Sequence, residues 1–362
     1  MKLQTATIDA LSPAERGRLL GTRFGGQFRE SARLYDEHFA ELGIDAQTVR
    51  DVTAGCVDRL AGWAPNQVAE FTAIAAAAQV DPQRLFAVVA RTEVLAVAPA
   101  QGEGECSTAV HVGAGIPAET VQTWDWHDHL VPEGLLASFV SDAGLRVKMF
   151  TEFGTAAKLG VNSARIGLHF NILRHVSDRG FDGVPVHSVA RRVLDEARSL
   201  DEAEQIAASA DVAASTVLTV FQTTDAGSDA RGFELSPAGL GILRPGLDAD
   251  GGDGWLLHTN HFLDPELSAG DCIDPASTTA ERYEHLRAVR GDLAGHSPVE
   301  RARRACGGDG ADAVICMRPD ESLPRIAQWA TLLTVGIDTV GTALEYHPGT
   351  PDAAASAGLR TF

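Results

Sequence analysis

Along the first quarter of the chain, apolar residues recur at the three- and four-residue spacing of helices that bury one face. Leu19, Leu20, Phe24, Leu34, Phe39 and Leu42 follow this repeat. Ahead of them stands Ser12-Pro13-Ala14-Glu15: a capping hydroxyl, a proline where the first turn needs no N–H, and an acid facing the helix dipole. A break at Ile44-Asp45 starts a second helix, a third begins near Asn66, and Asp81-Pro82 opens a fourth carrying Leu85, Phe86 and Val89. No β pattern interrupts residues 12–98. At 99–105 the texture changes. Period-two or continuous apolar runs, separated by Gly, Pro and Asp, predict strands over 107–112, 119–126, 135–140, 145–153 and 164–173. Helices follow at 186–199 and 201–210, the second with Asp201 as its cap and Glu204 three residues on. Strands resume at 215–223, 232–235, 241–243 and 255–258. Helices over 276–293 and 298–305 precede closing strands at 313–317, 328–337 and 342–346.

Strands with helices inserted in pairs predict a layered α+β sandwich. Glycine pairs at Gly102 and Gly104, at Gly251–Gly254 and at Gly307–Gly310 never sit in the strand–G-x-G-x-x-G–helix frame of a dinucleotide fold. A length of 362 residues suffices for one large or two ordinary domains. The formal net charge of −19 argues against nucleic acid or an anionic membrane as partner, since both need a basic face. The first 20 residues have no apolar core, and no run approaches the roughly 18 apolar residues of a membrane span, so a cytoplasmic protein is expected. The five cysteines, Cys56, Cys106, Cys272, Cys306 and Cys316, are scattered and never spaced C-x-x-C. That pattern excludes a disulfide framework or zinc cage and fits a reducing compartment.

Cys106 is the first chemical candidate. Taken alone, a cysteine is as well read as a small buried hydrophobe. Its context points elsewhere: it follows the flexible acidic approach Gly102-Glu103-Gly104-Glu105 and begins a strand. A cut between Glu105 and Cys106 would give the thiol an α-amine on the same residue, a base with a pKa of roughly 7.7–8.0. An N-terminal amine activating its own side chain makes a nucleophile without histidine.

A metal site built from Asp125, His127, Asp128 and His129 is the competing reading, joined by His261 in a metal-dependent hydrolase. Strand alternation would send Asp128 to the face opposite the other three, and the spacing is not that of known zinc hydrolases. Asn260 ends a strand, where its amide could either cap a turn or donate to an oxyanion without changing charge. The DADGGDG run at 248–254 lacks the ligand positions of a calcium loop and reads as an acidic turn.

Several segments, in order, resemble the penicillin acyltransferase-like (isopenicillin N acyltransferase) family of N-terminal-nucleophile hydrolases. They are Ala90-Arg91-Thr92-Glu93, Cys106-Ser107-Thr108, Gln122-Thr123-Trp124-Asp125-Trp126, Glu152-Phe153-Gly154, Gly160-Val161-Asn162, Gly167-Leu168-His169-Phe170-Asn171 and His258-Thr259-Asn260-His261-Phe262. Ile315-Cys316-Met317-Arg318 resembles a late Ile-Cys-Arg segment, with Met317 interrupting it. The resemblance implies a four-layer αββα sandwich and a precursor that cuts itself before Cys106. Residues 1–105 would become a helical small chain that stays bound, and 106–362 the large chain, the two forming one globular unit compatible with a higher oligomer.

Cys106 would be nucleophile for both cleavage and catalysis, with its freed α-amine as base. Asp125 would orient the amine and thiol, Asn260 and the backbone N–H of Thr108 would hold the oxyanion, and Arg318 would line the site. The substrate class implied is a linear amide or an acyl thioester of the acyl-CoA kind, handled through an acyl-enzyme with no cofactor or metal. Glu105 stands where the fungal penicillin enzymes have glycine, and Thr123 where asparagine is frequent. A non-catalytic member of the same fold that has lost processing is the third reading.

Overall fold

In the computed structural model, which describes residues 1–10, 12–98, 106–246 and 254–362, two β-sheets are stacked and covered by helices on both outer faces. The chain opens with β1 (Lys2–Thr7), then runs through α1 (Pro13–Glu41), α2 (Ala46–Trp63), α3 (Pro65–Ala78), α4 (Pro82–Val89) and α5 (Arg91–Ala96). The helix starts form where the sequence places caps. The Ser12 hydroxyl accepts from the Glu15 N–H, the Asp45 carboxylate from Gln47 and Thr48, and Asp81 from Gln83. Gly17 and Gly21 let α1 approach α3 closely: a Cβ at Gly17 would run into the Glu70 carbonyl, and one at Gly21 would come within 2.6 Å of the Ile74 carbonyl.

Beyond residue 105 come β2 (Cys106–His111), β3 (Glu119–Trp126), β4 (Glu133–Val140), β5 (Arg146–Glu152), β6 (Leu159–Asn162) and β7 (Ile166–Ile172). After α6 (Val186–Glu196) and α7 (Leu200–Ala208) follow β8 (Thr216–Thr224), β9 (Gly227–Ser236), β10 (Gly239–Leu243) and β11 (Trp255–His258). Helices α8 (Thr279–Val289) and α9 (Pro298–Ala305), strands β12 (Ala330–Asp338) and β13 (Ala343–His347), α10 (Pro351–Ala357) and β14 (Arg360–Thr361) complete the fold.

One sheet has eight strands in the order β1-β4-β5-β6-β7-β8-β9-β10, the other six in the order β11-β2-β3-β12-β13-β14. All pairings within them are antiparallel except that of β1 with β4. Alternation along β2 and β3 sorts their two faces. Cys106, Val110, Trp124 and Trp126 join the main core between the sheets, where Trp124 tilts onto Phe150 at 5.2 Å. Ala109 and Val121 point the other way, onto Leu286 of α8 and Ala305 of α9. The protein is thus an α+β sandwich of four layers, αββα.

Several expected elements differ. The strand β1 was not visible, because Lys2–Thr7 carries little apolar alternation and is held by its pairing with β4. The expected strand at 313–317 is irregular: Cys316 N–H closes a turn on the Ala313 carbonyl, and Met317 N–H is taken by the Thr331 hydroxyl. Its apolar run is buried without being extended, which periodicity cannot distinguish. Ser199, not Asp201, caps α7, its hydroxyl accepting from the Glu202 N–H. Short β6 carries no periodic signal and falls on the Gly160-Val161-Asn162 segment of the family resemblance, while the helix α10 and the strand β14 were not expected.

The helices of 1–98 are joined to the rest through buried charge. Glu70 of α3 bonds Arg16 of α1 at 2.8 Å and Arg191 of α6 at 2.9 Å. Glu152 of β5 accepts from Arg91 of α5 at 2.8 Å and from the Tyr35 hydroxyl of α1. Glu93 accepts from the Val186 N–H at the start of α6. Removing one partner of such a cluster strands a buried charge at a cost of about 3–5 kcal/mol, so these contacts fix how the helical layer seats on the sheet.

Candidate active site

Cys106 is the first residue of β2 and is only 2% exposed. Its main chain is gripped from three sides. The backbone N–H donates to Asn260 Oδ1 at 2.8 Å, and the carbonyl accepts from Arg282 Nη1 at 2.7 Å and Asn171 Nδ2 at 3.1 Å. Asn260 follows β11, the strand next to β2, and its own orientation is determined by its neighbours. Oδ1 faces two donors, Cys106 N and Arg282 Nη2, while Nδ2 donates to the Ile172 carbonyl at 2.9 Å. The Asn260 N–H donates to the Thr279 hydroxyl at 2.8 Å. Upstream, His258 Nε2 sits 2.7 Å from Glu234 Oε1, and Glu234 also accepts from the N–H groups of Leu263 and Asp264, so the whole turn is tied to the opposite sheet.

Arg282 is fully buried in the first turns of α8. Its fork spans the Cys106 carbonyl, the Ser107 hydroxyl at 3.1 Å and Asn260 Oδ1 at 3.0 Å, joining the residues on either side of the strand start. Thr108 lies between two ladders, opposite His258 on one side and Gln122 on the other. Its hydroxyl donates to Asn171 Oδ1 at 2.8 Å and accepts from Gln122 Nε2 at 2.9 Å.

Burial raises the Cys106 thiol to about 11, and the Asp125 carboxylate adds to that rise. The Lys158 ammonium, the Asp125 backbone N–H and the Arg282 guanidinium act in the opposite direction, favouring thiolate. Asp125 is completely buried. Lys158 is buried too, 3.4 Å from Glu152 and with Nζ 4.7 Å from the Trp124 ring centre.

Cys106, Thr108, Asp125 and Asn260 are therefore brought to one place. Arg318 is not brought there. It is half exposed, its Nη2 donates to both carboxylate oxygens of Asp352 at 2.9 Å, and its Nη1 donates to the carbonyls of Ala311 and Cys316. Glu105 lies outside the described residues, as do 248–253 of the acidic turn.

The histidines of the metal reading behave as packed rings. His127 and His129 lie 5.4 Å apart with the ring of His38 5.3–6.1 Å from them, His127 tilts onto Trp329 at 3.9 Å, and His261 meets Tyr283 edge-on at 5.3 Å. Among the described residues no group of three His, Cys, Asp or Glu side chains could hold a metal ion, and no helix is long and apolar enough to cross a membrane. Sequence reasoning missed Arg282 and Lys158. Lys158 had one cue, as one of only three lysines in an arginine-rich chain and set among small apolar residues.

The sequence profile of the acyl-coenzyme A:6-aminopenicillanic acid acyl-transferase family matches residues 120–307, more than half of the chain. The chain belongs to this family. Among curated proteins, the acyl-coenzyme A:6-aminopenicillanic-acid-acyltransferase 40 kDa form of Emericella nidulans is 26% identical over 304 residues, covering 82% of this chain and 79% of its own. Two solved structures are similar. Penicillin V acylase from Agrobacterium tumefaciens has a TM-score of 0.45 at 15% identity, covering 67% of this chain and 83% of its own. A mutant conjugated bile acid hydrolase from Clostridium perfringens has a TM-score of 0.41 at 11% identity, covering 67% and 89%.

Proposed function

We propose that the protein is a self-processing amidohydrolase or acyltransferase whose nucleophile is the thiol of Cys106, freed as an N-terminal residue by cleavage of the 105–106 bond. The observation that carries this reading is the grip on the Cys106 peptide: nitrogen to Asn260, carbonyl to Arg282 and Asn171. A residue serving only as core filling needs no such set of side-chain partners. After cleavage the same Asn260 oxygen would receive an α-amine, placing a base with a pKa near neutrality on the nucleophile's own residue.

The chemistry follows in two halves. The thiolate attacks an amide or thioester carbonyl, giving an acyl-enzyme and releasing amine or thiol. Water or an acceptor amine then takes the acyl group. The Asp125 charge would hold the amine protonated when the thiolate is formed. Asn260 and the Thr108 N–H remain the oxyanion donors the resemblance implies. For Asn260 this requires its amide nitrogen to leave the Ile172 carbonyl, and for Thr108 it requires an N–H in a strand flanked on both sides to face substrate. The buried triads Arg16–Glu70–Arg191 and Tyr35–Glu152–Arg91, together with β1 paired to β4, support a helical small chain that stays bound after the cut.

The relative from Emericella nidulans is named for acyl-coenzyme A and 6-aminopenicillanic acid, and we extend to this chain only the shared class, an acyl group on a thioester or linear amide. The test is to incubate the purified protein with acyl-CoA thioesters of graded length and with matching linear acyl amides, then to quench in acid. The expected result is a fragment beginning at Cys106 that gains the mass of the acyl group. Acylation of another residue, or turnover that persists in Cys106→Ala, would refute the assignment.

A further inference from the structure

An uncut chain has no α-amine at Cys106, so the base proposed for turnover cannot serve the cleavage that creates it. We propose that Lys158 takes the proton from the Cys106 thiol in the uncut chain and returns it to the departing Cys106 nitrogen. This inference rests on Cys106 being the self-cleaving nucleophile.

The placement is specific. Cys106 and Trp124 are direct partners across β2 and β3, so their side chains leave the same face of the sheet. Lys158 Nζ lies over that face, 4.7 Å from the Trp124 ring centre and 5.5 Å from that of Phe170. The charged and titratable groups around it are Glu152 of β5 at 3.4 Å, Arg91 of α5, Cys106 of β2 and His187 of α6, with Tyr35 of α1 reaching it through Glu152. Glu152 is shared among Lys158, Arg91 and Tyr35, so a single carboxylate serves two cations. Burial and the Arg91 charge bring Lys158 down to about 8, whereas Glu152 and Cys106 act to raise it. A neutral amine is therefore accessible near neutral pH.

Among the described residues, the other cations around Lys158 and Cys106 cannot do this work. Arg91 and Arg282 carry guanidiniums, which do not give up a proton in proteins. Asp125 is within electrostatic reach, but its charge acts on the thiol in the opposite sense, raising it and opposing thiolate formation. The steps balance without a co-reactant beyond water. The thiol proton passes to Nζ, and sulfur bonds to the carbonyl carbon of residue 105. As the bond from that carbon to the Cys106 nitrogen breaks, Nζ gives the proton to the nitrogen. The products are a thioester and a free amine, and water then splits the thioester into a carboxylic acid and the thiol.

The test follows cleavage of the full-length chain by intact mass after cell-free synthesis, from pH 6 to 10, for wild type, Lys158→Met, Lys158→Arg and Cys106→Ala. The proposal expects the wild-type rate to rise with pH and level off near 8. It expects Lys158→Met to be slower by about 100-fold or more, as for loss of a general base. Lys158→Arg should be equally slow, because it keeps the charge and not the base. Cleavage of Lys158→Arg or Lys158→Met within about threefold of wild type would overturn the role of Lys158 while leaving Cys106 as nucleophile. A wild-type rate still climbing towards pH 10 would overturn it too, independently of whether either variant folds. A wild type that never cuts would instead refute the reading on which the proposal stands.

Discussion

The side-chain oxygen of Asn260 lies 2.8 Å from the backbone nitrogen of Cys106, across the junction of β11 and β2. The same oxygen accepts from Arg282, and the Asn260 amide nitrogen is held by the Ile172 carbonyl. Asn260 thus holds the nitrogen that would change from peptide to amine in the proposed cleavage. Asn260→Leu keeps the volume and removes both polar atoms. It should slow self-cleavage and acyl transfer by roughly 10²–10³-fold, the range for loss of a positioned catalytic donor. Progress curves of fragment formation and thioester release test this.

Arg282 should matter for folding as well as chemistry. Its fork holds the Cys106 carbonyl, the Ser107 hydroxyl and Asn260 Oδ1, all in the interior. Arg282→Met removes three buried hydrogen bonds to a charged donor, leaving the Cys106 carbonyl only Asn171 and Asn260 Oδ1 only the Cys106 N–H, and each such bond contributes about 1.5–3 kcal/mol. Denaturant unfolding should show a loss of about 3 kcal/mol or more. Arg282→Lys should recover only part of it, because an ammonium cannot span three acceptors in a plane.

Arg318 should matter little. Its ion pair with Asp352 is half exposed, and such surface pairs contribute about 0–1 kcal/mol. Arg318→Ala is expected to leave self-cleavage and acyl transfer within about twofold of wild type in the same assays. A loss of orders of magnitude would mean that the segment around Cys316 reaches the site in the cut enzyme.

The clustered histidines set an acid limit on stability. Burial, reinforced by the charges of His129 and Arg91, lowers His38 to about 4. Burial also lowers His127 to about 3, against the opposing effect of its bond to the Gln328 carbonyl. In the unfolded chain both rings take up protons below pH ~6.5, while the folded rings resist until pH 4 or lower. The unfolded state therefore binds more protons in that window, and stability falls as pH drops from about 6.5 to 4. The loss should be on the order of a few kcal/mol, at ~1.4 kcal/mol per pH unit for each ring. His127→Phe should flatten the slope of unfolding free energy against pH over this range.

How much of this could be read in the sequence depends on whether the cause is local. The bounds expected for the strands at 119–126 and 255–258 coincide with those observed, because alternation and flanking turn residues are local signals. The helix starts at Ser12, Asp45 and Asp81 were legible for the same reason. The strand β1 and the irregular 313–317 segment were not, since tertiary pairing and burial decide them. Cys106, Asp125 and Asn260, which the fold brings together, were singled out through motif order. Arg282 was hidden because its partner Cys106 is 176 residues away, and no periodicity of α8 marks a guanidinium that faces inward.

The central claim is that Cys106 becomes the first residue of a chain by its own action. Intact-mass spectrometry of purified wild type and Cys106→Ala tests it directly. Two fragments are predicted from wild type, the larger beginning at Cys106, and a single 38.2 kDa chain from the variant. A wild type that remains whole, or a Cys106→Ala chain that is still cut between residues 105 and 106, would contradict it.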